Sequence, residues 1–145
     1  MINVLIVGAG SYIGSHIAAW LPKKQYCVRE LDVRTGLDET AFANQDAVIH
    51  VAGIAHQKET PENAPLYHKV NCELAVASAK AAKANGVKQF VFFSSMSVYG
   101  MTTGHITAET APAPTRIMAA ASGTRNSRWR ILRMTISRSP RCARP

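Results

Sequence analysis

The sequence predicts an α/β protein whose parallel sheet is doubly wound, with helices packed on both of its faces. Two observations predict this class. Short apolar runs rich in β-branched residues alternate with segments whose apolar residues recur at helical spacing. The first run ends in glycines that lead directly into the first helical segment. Strands that alternate with helices in this way imply right-handed crossover connections and therefore a parallel sheet. Beyond Gly100 the alternation stops, so we expect a sheet that is incomplete on its C-terminal side.

The individual elements follow from the same patterns. We predict buried strands over residues 3–7, 26–31, 47–53 and 88–95. The first helix follows the first strand and stops near Pro22, and a weakly helical connection lies around residues 37–43. A long helix begins at Thr60 and Pro61 and ends at Asn85-Gly86, which favours a left-handed C-cap. The residues expected to line its buried face are Leu66, Val70, Leu74, Ala77 and Ala81.

The charge distribution divides the chain at one position. Residues 116–145 contain eight arginines and no lysine, aspartate or glutamate, whereas residues 1–115 carry nine basic and nine acidic side chains. The whole net charge of +8 therefore belongs to the last segment. We predict one domain over residues 1–115 and a disordered, arginine-rich tail over residues 116–145. The tail has one aromatic residue and no recognition motif, which disfavours a nucleic-acid-binding arm.

Other function classes find little support in the composition. No apolar run approaches the roughly 18 residues of a membrane span, and the first residues lack the order of a signal peptide, so we expect a cytoplasmic protein. The three cysteines form no C-x-x-C pair, and the five histidines show no ligand spacing, so we expect no metal site. His50 falls within a buried strand pattern and is interpreted as a core or coenzyme-edge residue.

The segment VGAGSYIG joins the first strand to the first helix. Its glycines, Gly8, Gly10 and Gly14, let the backbone approach a pyrophosphate, whose charge then meets free N–H groups at the helix N-terminus. Asp32 ends the second strand, where a carboxylate can accept hydrogen bonds from an adenosine ribose. The pattern indicates a dinucleotide site and favours NAD over NADP, although Arg34 leaves NADP open.

The segment FFSSMSVYG places serines at the carboxyl end of the last predicted strand, the edge where ligands bind in open α/β sheets. Together with VGAGSYIGSH, the strand-ending Asp32, DAVIHVAGIAH and YHKVN, it resembles the NAD-dependent epimerase/dehydratase family of extended short-chain dehydrogenases/reductases, and in particular its nucleotide-sugar 4-epimerase-like branch. The matching pieces run in family order over roughly residues 2–115.

This resemblance implies a Rossmann-type fold, tightly held NAD, a nucleotide-sugar substrate whose hydroxyl is oxidised and re-reduced by hydride transfer, and a homodimer in the intact family. It also implies that Ser95 hydrogen-bonds the reacting hydroxyl and that Asn71 is the helix asparagine near the site. Ala52 and Gly53 match small residues beside the coenzyme, whereas Ser11 replaces a loop glycine. The predicted coenzyme-binding residues are Gly8, Gly10, Ser11, Tyr12, Ile13, Gly14, Asp32, Arg34, Val51, Ala52, Gly53 and Ser94.

The family's catalytic base is a Tyr-x-x-x-Lys pair, in which the lysine lowers the pKa of the tyrosine from about 10. This chain contains no such pair, because the residues four positions after its tyrosines are His16, Glu30, Asn71 and Thr103. The chain is therefore interpreted either as an active family member that needs its full reading frame, or as a coenzyme-binding fragment without turnover.

The tail offers an explanation for the missing pair. Back-translation of RIMAAASG, read from the third base of the Arg116 codon, permits Asn-Tyr-Gly-Arg-Ser-Lys-Arg, which contains Tyr-x-x-x-Lys. The same shift applied to PRCARP permits Ala-Leu-Arg-Pro-Pro, which resembles the strand end that follows the family's catalytic helix. We therefore predict that residues 116–145 are an out-of-frame translation. Sequencing the gene through codons 110 to 120 is expected to reveal a lost base, and stop codons in the alternative frame would contradict the prediction.

Overall fold

The structure, a computed structural model, describes residues 1–55 and 60–113. Four parallel strands, β1 (Ile2–Val7), β2 (Tyr26–Leu31), β3 (Ala47–His50) and β4 (Gln89–Phe92), form one sheet in the order β2-β1-β3-β4. The parallel α/β architecture expected from the sequence is confirmed. The predicted tail, residues 116–145, lies outside the described residues.

The strands begin and end close to their predicted positions, with two differences. β3 stops at His50, three residues before the predicted end, because the N–H groups of Val51 and Ala52 both turn to the carbonyl of Val7. β4 ends at Phe92, so the serines that follow it lie beyond the sheet. Asp32 likewise comes directly after β2 and is not part of it.

The helices connect the strands as crossovers. Helix α1 (Tyr12–Trp20) ends just before Pro22, as predicted. The long predicted helix begins with a 3-10 turn (Pro61–Asn63) and continues as α2 (Ala64–His68), a π-helical turn (Lys69–Glu73) and α3 (Leu74–Ala84). Gly86 closes it with a φ of 70°, and the N–H of Val87 reaches the carbonyl of Ala82 at 3.0 Å, which is the expected glycine cap. Within the described ranges, no helix is long and apolar enough to cross a membrane.

The buried face of the long helix differs from the prediction by one position. The predicted stripe passes through the largest aliphatic residues, yet Leu66 is 49% exposed. The buried residues are instead Tyr67, Asn71, Cys72, Ala75, Ser78, Ala79, Ala81 and Ala82. The predicted stripe is wrong because it follows the most hydrophobic side chains, whereas the residues that face the sheet are mostly small and let the helix approach it closely. Only Ala81 belongs to both sets.

The core between the sheet and α3 is compact. It contains Leu5 and Val7 of β1, Val48 of β3 and Phe42 from the 3-10 turn Glu39–Phe42, together with Ala81, Ala82 and Val87. His50 is fully buried beside Phe90 and Phe92, with ring centroids 6.2 and 6.0 Å away, so of the two roles expected from the sequence it has that of a core residue. This core fixes the carboxyl ends of β1 and β3 next to each other.

Candidate functional site

A cleft of about 540 Å³ opens at the carboxyl ends of β1, β2 and β3. In parallel α/β sheets this is the edge at which ligands bind, and the volume is in the range of small-molecule sites. The cleft brings together eight of the residues predicted to bind the coenzyme. Its lining comprises Gly8, Ala9, Gly10, Ser11, Asp32, Val33, Arg34, Val51, Ala52, Gly53, Ile54, Val70 and Leu74.

The glycine loop between β1 and α1 forms one wall of the cleft. Gly8 has a φ of 120°, and a Cβ there would lie 2.8 Å from the backbone nitrogen of Ala52, so this position requires glycine. Gly10 has a φ of 71°, and a Cβ on it would have no neighbouring atom of the described residues within 4 Å, which leaves its outer side open. The loop is therefore packed tightly against the residues that follow β3, whereas no atom of the described residues lies beside Gly10.

Ser11 occupies the position at which the family has a glycine. Its φ of −73° is accessible to any residue, and its side chain caps α1 by accepting a hydrogen bond from the N–H of Gly14 at 3.1 Å. The N–H groups of Tyr12 and Ile13 are the first two of the helix and have no intrahelical acceptor. They provide backbone donors, at the positive end of the helix dipole, for an anion at the loop.

Asp32 forms an ion pair with Arg34 at the cleft. Both of its carboxylate oxygens accept hydrogen bonds from the guanidinium of Arg34, and Oδ1 also accepts one from the backbone N–H of Arg34 at 2.9 Å. The side-chain hydrogen bonds of Arg34, followed by its backbone hydrogen bond, lower the pKa of Asp32 to about 2. The carboxylate is ionised at neutral pH and carries a cation beside it, which keeps the NADP alternative open at this end of the cleft.

Asn71 lies next to the cleft and shapes it. It is buried within the π-helical turn, where its Oδ1 accepts a hydrogen bond from the N–H of Ile54 at 2.7 Å and its Nδ2 donates one to the carbonyl of Ile54 at 2.9 Å. The side-chain amide of Asn71 thus bonds both the backbone N–H and the backbone carbonyl of Ile54, which follows β3. A Cβ on Gly53 would lie 3.1 Å from the same Oδ1, which explains why that position is small.

The serines after β4 are placed separately from this cleft. Ser95 has extended backbone and caps the 3-10 turn Met96–Tyr99, with its Oγ 2.7 Å from the Oγ of Ser97 and 3.2 Å from the N–H of Ser97. Ser94 is exposed immediately before it. Neither serine belongs to the cleft lining. The catalytic role predicted for Ser95 and the coenzyme contact predicted for Ser94 remain predictions.

Three further predicted residues lie on α1 and do not line the cleft. The side chains of Tyr12 and Ile13 face a separate, open apolar groove that also includes Trp20 and Phe93. Gly14 is buried, and a Cβ there would lie 2.6 Å from the Oγ of Ser11 and 3.2 Å from Ile6. The side chains at the helix start therefore do not face the cleft, and the contact that these residues offer a ligand there is through their backbone N–H groups.

Sequence reasoning missed the apolar wall and one acidic contact. Val70 and Leu74, expected to be core residues, line the cleft instead. The carboxylate of Glu30 accepts a hydrogen bond from the N–H of Gly10 at 3.1 Å. In the sequence, the sign that Glu30 could contact the loop is a charged residue one position before the end of a strand. No group of three metal-ligating side chains occurs in residues 1–55 and 60–113.

A glycine loop, a helix start and a strand-end carboxylate around one cleft at the edge of a parallel sheet define a Rossmann-type α/β domain. The family model described as the NAD dependent epimerase/dehydratase family matches residues 4–121. The chain belongs to this family.

Individual relatives agree with that assignment. The UDP-glucose 4-epimerase uge1 of Schizosaccharomyces pombe is 33% identical to this chain, and the match covers 70% of this chain and 37% of the relative. A UDP-glucose 4-epimerase of Klebsiella pneumoniae is 30% identical over 68% of this chain and 92% of its own sequence. UDP-glucuronic acid 4-epimerase from Bacillus cereus, solved in complex with UDP-glucuronic acid and NAD, superposes with a TM-score of 0.81 at 19% identity over 93% of this chain and 53% of that one. The chain thus spans well under half of the fission yeast relative and about half of the solved structure.

Replacing Asn71 by alanine is expected to loosen the wall of the cleft. The change removes the hydrogen-bond partner of both the N–H and the carbonyl of half-buried Ile54, which costs about 1 to 3 kcal/mol in the free energy of unfolding. Urea unfolding measures this loss, and hydrogen exchange at the Ile54 amide should become faster. Asn85→Ala, which removes one hydrogen bond at an exposed helix end, is the control and should cost less than about 1 kcal/mol. Unchanged protection of Ile54 would contradict the assigned role.

The pairing of Asp32 with Arg34 predicts a specific pH dependence. Because the pKa of Asp32 is lowered in the folded state, the stabilisation from the pair is present above the ordinary carboxyl pKa of 3.8 and is lost as the pH falls towards 2. Carbon NMR should find the Asp32 carboxyl titrating near 2, and the Arg34→Ala variant should return it towards 3.8. Asp38, whose pKa is lowered mainly by Thr40, serves as the internal control and should not move. Equal Asp32 values in both proteins would refute the pairing.

Proposed function

We propose that the domain binds NAD in the cleft beside the glycine loop. The observation that carries the proposal is the convergence, on one cleft of about 540 Å³, of the glycine loop, the start of α1 and the ionised carboxylate of Asp32. The B. cereus relative, whose fold this chain shares, was solved with NAD, which supports the proposal. The residues present fit the coenzyme. Gly10 has open space where a side chain would stand, and Gly8 lets the loop pack against Ala52 without a side chain between them.

Each part of the proposed site has a physical role. The N–H groups of Tyr12 and Ile13 hold the pyrophosphate, because they are hydrogen-bond donors at a helix start. Asp32 accepts hydrogen bonds from the adenosine ribose, and Arg34 next to it makes the rejection of a 2′-phosphate incomplete. Val70 and Leu74 supply apolar surface that excludes water from the opposite wall.

For the complete protein, we propose epimerase or dehydratase chemistry on a nucleotide-sugar. When bound, NAD supplies the capacity to accept and return a hydride. Ser95 would donate or accept a hydrogen bond at the reacting sugar hydroxyl, a role that requires its present bond to Ser97 to be exchanged. A cytoplasmic location and a homodimer of the intact protein remain predictions.

For this polypeptide, we propose coenzyme binding without turnover. The proposal rests on the absence of a Tyr-x-x-x-Lys pair from the sequence, because without it no phenolate is available to take the hydroxyl proton. The alternative is an active epimerase that uses another base.

Calorimetric titration of the full chain with NAD tests the binding proposal. We expect saturable binding, and we expect Asp32→Ala to weaken it by about 10- to 100-fold, because hydrogen bonds to a charged group contribute about 1.5 to 3 kcal/mol. Glu39→Gln removes an exposed charge outside the cleft and should leave the affinity unchanged. Absence of binding by folded wild-type protein would refute the proposal. Conversion of UDP-glucose by the same preparation would instead favour the active alternative.

A further inference from the structure

Glu30 introduces a negative charge where the proposed function requires an anion to bind. It is the penultimate residue of β2 and lies opposite Ile6 of β1 in the parallel register. Its Oε2 accepts a hydrogen bond from the N–H of Gly10 at 3.1 Å. The carboxylate therefore sits on a backbone donor of the glycine loop, twenty residues away in the sequence.

The surroundings of the loop do little to offset this charge. Among the residues that line the cleft, the charged side chains are Asp32 and Arg34, which neutralise each other as an ion pair. The glycine loop and the first turn of α1 contain no lysine or arginine that could offset the charge of Glu30. Attraction of a pyrophosphate at this loop depends on backbone N–H groups and the helix dipole, while Glu30 acts against it.

The sign and size of this effect follow from electrostatics. The pyrophosphate bridge of a dinucleotide carries negative charge, and Glu30 places a carboxylate on the loop proposed to bind it. The contact is exposed to solvent, so the effective dielectric constant lies close to that of bulk water, at which charges a few ångströms apart change an affinity by about five- to tenfold. A neutral residue in the same place would retain the loop geometry without this repulsion.

We propose that Glu30 weakens coenzyme binding at this loop by about tenfold. The inference rests on the proposed NAD site and assigns to it a residue that sets affinity through the loop without contacting the coenzyme. Glu30 has two effects on the loop: it satisfies the N–H of Gly10, and it repels the phosphates that bind beside that group.

The variant Glu30→Gln separates these two effects. The glutamine carbonyl can still accept the hydrogen bond from Gly10, whereas the charge is gone. Titration of the full chain with NAD should show affinity about tenfold higher than that of the wild type, with the difference shrinking as salt is added. Glu39→Gln changes the net charge by the same amount from an exposed position outside the cleft, so it should leave the affinity unchanged.

Adenosine serves as the second probe, because it has the ribose but no phosphate. Its affinity should be the same for wild type and Glu30→Gln, and an equal gain for adenosine and NAD would overturn the electrostatic role. Glu30→Ala removes the charge and the acceptor together, so a gain smaller than that of Glu30→Gln is expected.

The outcomes distinguish this inference from the proposal on which it rests. If folded wild-type protein binds NAD and Glu30→Gln binds it equally or more weakly, the role of Glu30 is refuted and the NAD site stands. If neither protein binds NAD although thermal unfolding shows both to be folded, the proposed function fails and the role of Glu30 fails with it.

Discussion

The close approach, at Gly8, of the two segments that follow β1 and β3 is the constraint on which the cleft depends. A Cβ at Gly8 would lie 2.8 Å from the nitrogen and 3.0 Å from the Cα of Ala52, so two backbones meet with no side chain between them. The N–H groups of Val51 and Ala52 both bond to the carbonyl of Val7 at this point. The residues that follow β3 are thereby held beside the glycine loop, and both segments line the cleft.

A second interaction keeps that segment in place from the other side. The Asn71 amide holds the N–H and carbonyl of Ile54, and it projects from the π-helical turn between α2 and α3. π-Helical turns are uncommon and often occur at functional sites, because they shift one side chain relative to the regular helix. Here the turn buries Asn71 while Val70 and Leu74 reach the cleft. The same irregularity therefore supplies both the support for the wall and its apolar surface.

The sequence predicted the elements and the glycine loop because those depend on local patterns: apolar strands, a helix stop before Pro22 and a glycine cap at Gly86. It could not predict which face of the long helix is buried, since that choice depends on how closely the helix approaches the sheet. It placed Asp32 at the cleft but not its pairing with Arg34, because the geometry of two exposed, flexible side chains has no sequence signature. The contact of Glu30 with Gly10 was missed for a different reason, since it depends on the register of two strands.

Ser11 shows how one departure from the family pattern is accommodated by its neighbours. The left-handed backbone conformation is adopted by Gly10, one position earlier, which leaves Ser11 in an extended conformation open to any residue. Its hydroxyl then fills the space that a Cβ at position 14 would need, because such an atom would lie 2.6 Å from Oγ. Ser11 is thus compatible with this loop only while Gly14 has no side chain. By taking the N–H of Gly14, the hydroxyl leaves the two preceding N–H groups of α1 as the donors of the phosphate site.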